Sequence, residues 1–197
     1  MILENNTQKI EDNFIVYINE CPEVKTTIHW YDLYEGHYLE LDKDFQKEIF
    51  EKAVKKVGNY SKLGRMFGIG RKTISACSQG KSSPQIKVLY KIANCVAYSL
   101  DDINSKIIEV SGLNPKLPFK LNNKEGAEIK AAFLSDGHID KHQTSPSQYC
   151  AYEIELHERL VDLCKKIFGE FKTKTYFNSR SHITKFPAVI GRALELS

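Results

Sequence analysis

Residues 60–79 read YSKLGRMFGIGRKTISACSQ, and their spacing predicts two short helices folded across a tight turn. Leu63 and Phe67, four residues apart, share one face of a helix over Tyr60 to Phe67. Gly64 lies between them and keeps the crossing point small, so a second helix approaches closely. Gly68 stands where the turn needs a left-handed backbone, which favours glycine. Ile69 fills the corner, and Ile74 with Cys77 forms the inner face of a helix over Arg71 to Gln79. Arg71, Lys72, Thr73, Ser75, Ser78 and Gln79 then point outward.

Those outward side chains are the donors and acceptors that read base edges and phosphates in a major groove. Tyr60, Ser61 and Lys62 open the first helix, where phosphate is well held, and Lys81 follows the second. Working outward, Phe45, Ile49, Phe50, Ala53, Val54 and Val57 recur at helical spacing, and Gly58 with Asn59 ends that stripe. Ser83-Pro84 predicts an N-cap and a first-turn proline. The helix behind it carries Ile86, Leu89, Ile92, Ala93, Val96 and Ala97 on one side. An all-helical domain over residues 45–108 is expected. Residues 45–103 resemble the Cro/C1-type helix-turn-helix family, including the GKSSP connection and the closing IANCVAYSLDDI. The resemblance implies sequence-specific binding to double-stranded DNA.

Charge is segregated in the same pattern. The 197 residues carry a net charge of only +3. Yet residues 1–44 hold 3 basic and 10 acidic side chains, and residues 45–100 hold 11 and 2. The remainder, 101–197, holds 14 and 13. A basic block of that density attracts polyanions regardless of the whole-chain balance. With 42% apolar and 27% charged residues, the composition excludes a disordered chain. No run approaches the ~18 apolar residues of a membrane span, and MILENNTQKIEDN is no signal peptide. Five cysteines without a CxxC pair argue against a disulfide framework or a zinc clip, so a reduced, cytoplasmic protein with no membrane partner is expected. There is no GxSxG, Walker loop or spaced Cys/His dyad.

The flanks read differently. In the acidic segment 1–44, Phe14 to Ile18, Thr26 to Trp30 and Tyr38 to Leu41 suggest short strands, a small β appendage. Trp30, Tyr31 and Tyr34 suit either a stacking surface or a small core. Glu109 to Asn123, EVSGLNPKLPFKLNN, reads as a linker because of its prolines, glycine and asparagines. Beyond it, Asn122 or Asn123 caps a helix from about Glu125 to Asp136, ended by Gly137. Ile139 and Tyr149 to Leu156 read as a strand pair. A helix with the stripe Leu160, Val161, Cys164, Ile167 and Phe168 stops at Gly169. Strands over Thr173 to Phe177 and His182 to Phe186 lead to a last helix near Pro187. The order is α-β-β-α-β-β-α over 124–197, and the whole chain is α+β.

Residues 129–137, IKAAFLSDG, combine three features. Ala131, Ala132 and Ser135 suit close helix–helix packing, Asp136 sits at a negative helix end, and Gly137 permits a sharp exit. This stretch and the element order that follows resemble the LAGLIDADG homing endonucleases, with Asp136-Gly137 matching the terminal Asp-Gly of the motif. Lys130 and Leu134 depart from its consensus. The resemblance implies a homodimer through the 125–136 helix, with Ala131, Ala132 and Ser135 at the contact, and a roughly palindromic target. It implies that Asp136 is catalytic and, with Gly137, belongs to a Mg²⁺ site whose metal polarises the phosphoryl group and activates water. The sheet would lie over DNA, with Lys141, His142, Lys172, Lys174, Arg180, His182 and Lys185 as contacts. That family carries a further basic catalytic residue just beyond its third helix, a position after Ser197. A shortened endonuclease is therefore one expectation. A transcriptional regulator whose second domain only dimerises or extends the footprint is the other, with a protein-interaction adaptor as a third. Asp136, His138, Asp140 and His142 alternate, which suits a mixed-ligand metal site or a polar strand start.

Overall fold

Asp42, Asn59 and Asn123 each precede an apolar stripe, and each starts a helix. Their side chains accept hydrogen bonds from the backbone N–H groups of Phe45 (2.9 Å), Lys62 (2.9 Å) and Gly126 (2.7 Å). A computed structural model describes residues 25–140 and 145–197, and the fold is α+β. In chain order the elements are β1 (Thr27–Ile28), β2 (Leu39–Leu41), α1 (Lys43–Val57), α2 (Tyr60–Phe67), α3 (Arg71–Ser78) and α4 (Ile86–Cys95). There follow β3 (Ile107–Val110), β4 (Leu113–Pro115), β5 (Phe119–Lys120), α5 (Lys124–Asp136), β6 (Gly137–His138) and β7 (Ser147–Ala151). The chain closes with α6 (Ile154–Phe168), β8 (Gly169–Phe171), β9 (Thr175–Asn178), β10 (Ser181–Phe186) and α7 (Ala188–Glu195). Among the described residues these make seven α-helices and three small antiparallel sheets. None of those helices is long and apolar enough to cross a membrane.

The segment expected to be a linker is built into two of the sheets. β2, β3, β4 and β8 pair in that order, with Leu39 opposite Val110 and Leu113 opposite Phe171. β1 pairs with β5, setting Ile28 against Phe119. Val110, Leu113 and Phe119 are fully buried and Leu121 nearly so, and that burial holds the segment down. Ser111-Gly112 is a two-residue hairpin turn with φ of 45° and 88°, the left-handed backbone such turns require. The four-stranded sheet β2-β3-β4-β8, the seam sheet, thus ties the N-terminal strand β2 to β8 of the C-terminal half, and residues 25–44 are no separate appendage. The expected strand over Phe14 to Ile18 lies outside the described residues. Thr26 to Trp30 is a strand only at Thr27–Ile28. Trp30 instead opens a 3-10 turn, fully buried, its indole Nε1 donating to the Leu100 carbonyl (3.0 Å). Its ring serves the core.

α4 starts two residues later than Ser83-Pro84 predicts. The Pro84 carbonyl accepts from Leu39 N–H (2.9 Å) and Gln85 pairs with Tyr38, so both residues are held in extended pairing. The helix also stops at Cys95, and Ala97 has φ 56°. In the C-terminal half the expected order is present with one addition. β8 joins the seam sheet, while β6, β7, β10 and β9 form their own four-stranded sheet in that order. α5 and α6 cover one face, linked at their exposed edges by Glu125–Lys166 and Glu128–Arg159 ion pairs. One buried cluster runs from Trp30 and Phe50 through Leu89 to Phe119, Phe168, Phe186 and Ile190.

Candidate nucleic-acid interface

The α2–α3 corner is set by two glycines. Gly68 ends α2 with φ 68°. The Ile69 N–H donates to the Gly64 carbonyl (2.8 Å), and a Cβ on Gly64 would stand 2.5 Å from the Ile69 carbonyl oxygen. Leu63, Ile74 and Cys77 are fully buried, as their spacing predicts. Gln46, a buried polar residue of α1 that the apolar stripe gave no reason to notice, donates to the carbonyls of Cys77 (2.7 Å) and Ser82 (2.9 Å). It thereby fastens the end of α3. Lys91 on α4 donates to the Phe67 carbonyl (3.2 Å) at the end of α2.

This frame presents Arg71, Lys72, Thr73 and Gln79 to solvent, with Lys62 and Lys81 exposed beside them and Ser75, Ser61 and Tyr60 half-buried. Gln79 Nε2 donates to Ser75 Oγ (3.2 Å), which pre-orients the amide. Ser78 does not point outward. It is 3% exposed, and its hydroxyl lies 3.1 Å from Tyr60 Oη and 3.2 Å from the Ser75 carbonyl. Position 78 is one residue past Cys77 and still on the inner arc of the helix, which explains the difference. Among the described residues no ion pair involves Lys62, Arg65, Arg71, Lys72 or Lys81. Among the described residues, then, no carboxylate pairs with these charges.

The second basic surface is the sheet β6-β7-β10-β9. Strand alternation puts Phe186, Thr184 and His182 on the side that packs against the helices. Lys185 and Ile183 go to the other side, opposite Gln148 and Cys150 of β7, with Tyr176 of β9 across from Ile183. The Lys185 ammonium lies 5.7 Å from the centroid of the Tyr176 ring. Lys172, Lys174 and Arg180 are exposed, Arg180 in the β9–β10 turn. Lys141 and His142 lie outside the described residues. His182 is engaged otherwise: its Nδ1 pairs with the Tyr152 carbonyl (2.8 Å), and its ring packs against Phe177.

Behind that sheet lies a polar residue whose role the sequence left open. His157 is fully buried, its Nδ1 2.7 Å from Thr184 Oγ1 and its Nε2 3.3 Å from the Ala151 carbonyl. Thr184 Oγ1 in turn lies 2.6 Å from Thr175 Oγ1. The chain of hydrogen bonds pins α6 to β7, β10 and β9. Burial holds the His157 pKa below its ordinary value, the hydrogen bond to the Ala151 carbonyl opposes that shift, and His182 adds to it. Position 157 precedes Leu160 and Cys164 by three and seven residues, so its inward aim was legible in the stripe.

At the end of α5, Asp136 is exposed and its Oδ2 accepts from Ser135 Oγ (2.8 Å). Its carboxylate helps to raise the Tyr149 pKa, after burial of that phenol and ahead of Glu153. Gly137 enters β6 directly: a Cβ there would be 2.5 Å from the Cα and carbonyl oxygen of Phe133. Ala131 and Ser135 share the outer face of α5 with exposed Ala127 and with Leu134, which is 87% exposed. Ala132 is half-buried and packs toward the core. Asp136 closes the helix while His138 belongs to β6, so the two do not alternate along one strand as the spacing suggested. Among the described residues no three of His, Cys, Asp or Glu gather as a metal site.

These elements define an α+β protein with two basic, hydrogen-bonding surfaces, one on a short helix and one on a sheet. Compared with protein-family models, curated proteins and solved structures, the chain matches none.

Proposed function

We propose that this protein binds double-stranded DNA sequence-specifically, with α3 as the reading helix in a helix-turn-helix arrangement. The observation that carries the proposal is the glycine-tightened α2–α3 corner, which holds Arg71, Lys72, Thr73 and Gln79 outward, with no ion pair to Arg71 or Lys72 among the described residues. Arg71 or Lys72 suits the O6 and N7 acceptors of guanine, and Gln79 the N6 and N7 of adenine. Lys62, Lys81, Tyr60, Ser61 and Ser75 supply phosphate contacts that set the register. Lys172, Lys174, Arg180 and Lys185 extend the footprint on the sheet. The outer face of α5, with Ala131 and Ser135, is the surface through which two copies pair, so the target is roughly palindromic. In this reading the protein is a regulator-like DNA binder.

A second reading, DNA hydrolysis with Mg²⁺ as in the LAGLIDADG endonucleases, is favoured by one observation. Asp136 lies exposed at the end of that same α5 face. Pairing two copies through α5 would bring two such carboxylates together, able to hold Mg²⁺ with Gly137 backbone beside it. The ion, when bound, would supply phosphoryl polarisation and water activation. Ser135 Oγ, donating to Asp136, orients the carboxylate.

The test is selection of a bound site from a random duplex library, followed by binding and cleavage assays on that site. Retention of a defined sequence, lost in Arg71→Ala/Lys72→Ala, supports the binding reading, and recovery of no sequence preference overturns it. Mg²⁺-dependent nicking abolished in Asp136→Asn supports the second reading; nicking unchanged in that variant overturns the role given to Asp136.

A further inference from the structure

Between the seam sheet and the β9–β10 hairpin runs a groove of about 1040 Å³. Its walls include Ser111 and Gly112 of the seam turn on one side and Lys172, Lys174, Tyr176 and Lys185 on the other. Two acidic residues also line it, one at the seam turn and one paired outside the groove. Glu109 accepts from the Gly112 N–H (3.0 Å), and Glu170 pairs with Lys165 (3.3 Å). Among the described residues, no ion pair involves any of the three lysines.

The lysines are gathered by design of the backbone. Thr173 Oγ1 donates to the Lys185 carbonyl (2.5 Å), clipping the extended stretch 172–174 alongside β10. One step beyond the paired Thr175 and Thr184, Lys174 comes opposite Lys185. Like charges opposed across a strand pair destabilise a sheet. Side chains two apart on an extended segment face one way, so Lys172 joins the same wall. The Tyr176 ring keeps the Lys185 ammonium at the groove. The opposite lip is tied to the helical half: the Ser111 N–H donates to the Tyr38 carbonyl (3.1 Å), and Tyr38 pairs with Gln85 just before α4. A linear polyanion offsets the clustered charge, and a groove of this size exceeds what most small ligands fill.

We propose that the phosphodiester backbone of one nucleic-acid strand runs through this groove, held by Lys172, Lys174 and Lys185. The site would carry the footprint of α3 across the seam. This rests on the DNA-binding reading above. Thr173 and Tyr176 act through the lysines and are positioning residues.

The experiment measures binding by fluorescence anisotropy as a function of salt, on the selected duplex and on one of its strands alone. Each lost phosphate contact lowers the slope of log Kobs against log[salt] by about 0.9 on duplex and about 0.7 on a single strand. K172A/K174A/K185A should therefore lower the slope by about 2–3 on whichever probe supplies the strand, with sequence preference on the duplex kept. Tyr176→Ala should reproduce about one contact's worth of that loss, and Tyr176→Phe should restore it. K106A/K120A/K124A removes three exposed lysines elsewhere and should leave the slope unchanged. An unchanged slope in the groove variant on both probes, while Arg71→Ala/Lys72→Ala abolishes duplex binding, overturns the groove and leaves the reading helix standing. An equal fall in both triple variants also overturns the groove, by reducing it to general charge. No binding to either probe by the unaltered protein overturns both readings.

Discussion

The carbonyl oxygen of Ile69 lies 2.5 Å from the point where a Cβ on Gly64 would stand. The Gly64 carbonyl simultaneously accepts from the Ile69 N–H. Backbone therefore meets backbone at the corner, and no flexible side chain is available to move aside. Gly64→Ala must push α2 away from the turn that aims α3. Overpacking of this kind costs about 1–3 kcal/mol. We expect a lowered melting temperature and a larger loss of DNA binding than stability alone explains. A melting temperature within a degree of the unaltered protein would show that the corner tolerates a methyl group.

Arg71 and Lys62 are both exposed, with no ion pair among the described residues, yet they should respond differently to alanine. Arg71 opens α3, where a side chain reaches base edges, so Arg71→Ala should weaken the selected site by about 1–3 kcal/mol and relax one base position. Lys62 lies in the first turn of α2, so Lys62→Ala should weaken all sequences alike and lower the salt slope by about 1. Competition binding with single-base variants of the site separates the two. Equal, sequence-independent losses would take Arg71 out of base reading.

The contrast between the α2–α3 corner and the seam explains what was legible beforehand. Leu63, Gly64, Gly68, Ile74 and Cys77 act within twenty residues of one another, so local spacing carries their roles. The strands of Ile107–Lys120 owe their pairing to Leu39, Ile28 and Phe171, far off in the chain. Their prolines and Ser111-Gly112 look like linker composition because a two-residue hairpin turn uses the same residues. Ser83-Pro84 failed for a similar reason, since its carbonyl is claimed by Leu39. The outward placement of Arg71, Lys72, Thr73 and Gln79 follows from periodicity, and so does the inward place of Ser78, four residues after Ile74, where its hydroxyl meets Tyr60.

His157 links the fold to pH. Burial depresses its pKa below the ordinary 6.5. The native state therefore binds fewer protons than the unfolded chain once the pH falls below about 6.5. Stability is fully present above that value and is lost progressively as the pH falls toward the depressed folded value. His37 is shifted the same way by its burial, with the Arg192 charge adding to the shift. Each contributes at most about 1.4 kcal/mol per pH unit. Urea denaturation at pH 7.5 and 5.5 should show a clear loss at the lower pH, reduced but not removed in His157→Asn. An identical pH difference in that variant would assign the effect to other groups.

Ala131 and Ser135 leave the outer face of α5 shallow, and Leu134 stands on it 87% exposed. An exposed leucine on a small-residue face is stabilised when a second helix covers it, and burial of one such side chain is worth roughly 1.5–3 kcal/mol. In a two-fold pairing each substitution counts twice. Ala131→Glu places a charge where the helices would cross, so it should shift the protein from dimer to monomer in sedimentation velocity at micromolar concentration. It leaves the core untouched, because the residue is exposed in the single chain. DNA binding should then weaken most on a palindromic site and least on a half-site. A variant that stays dimeric would move the pairing surface away from α5, and with it the meeting of two Asp136 carboxylates on which the hydrolytic reading depends.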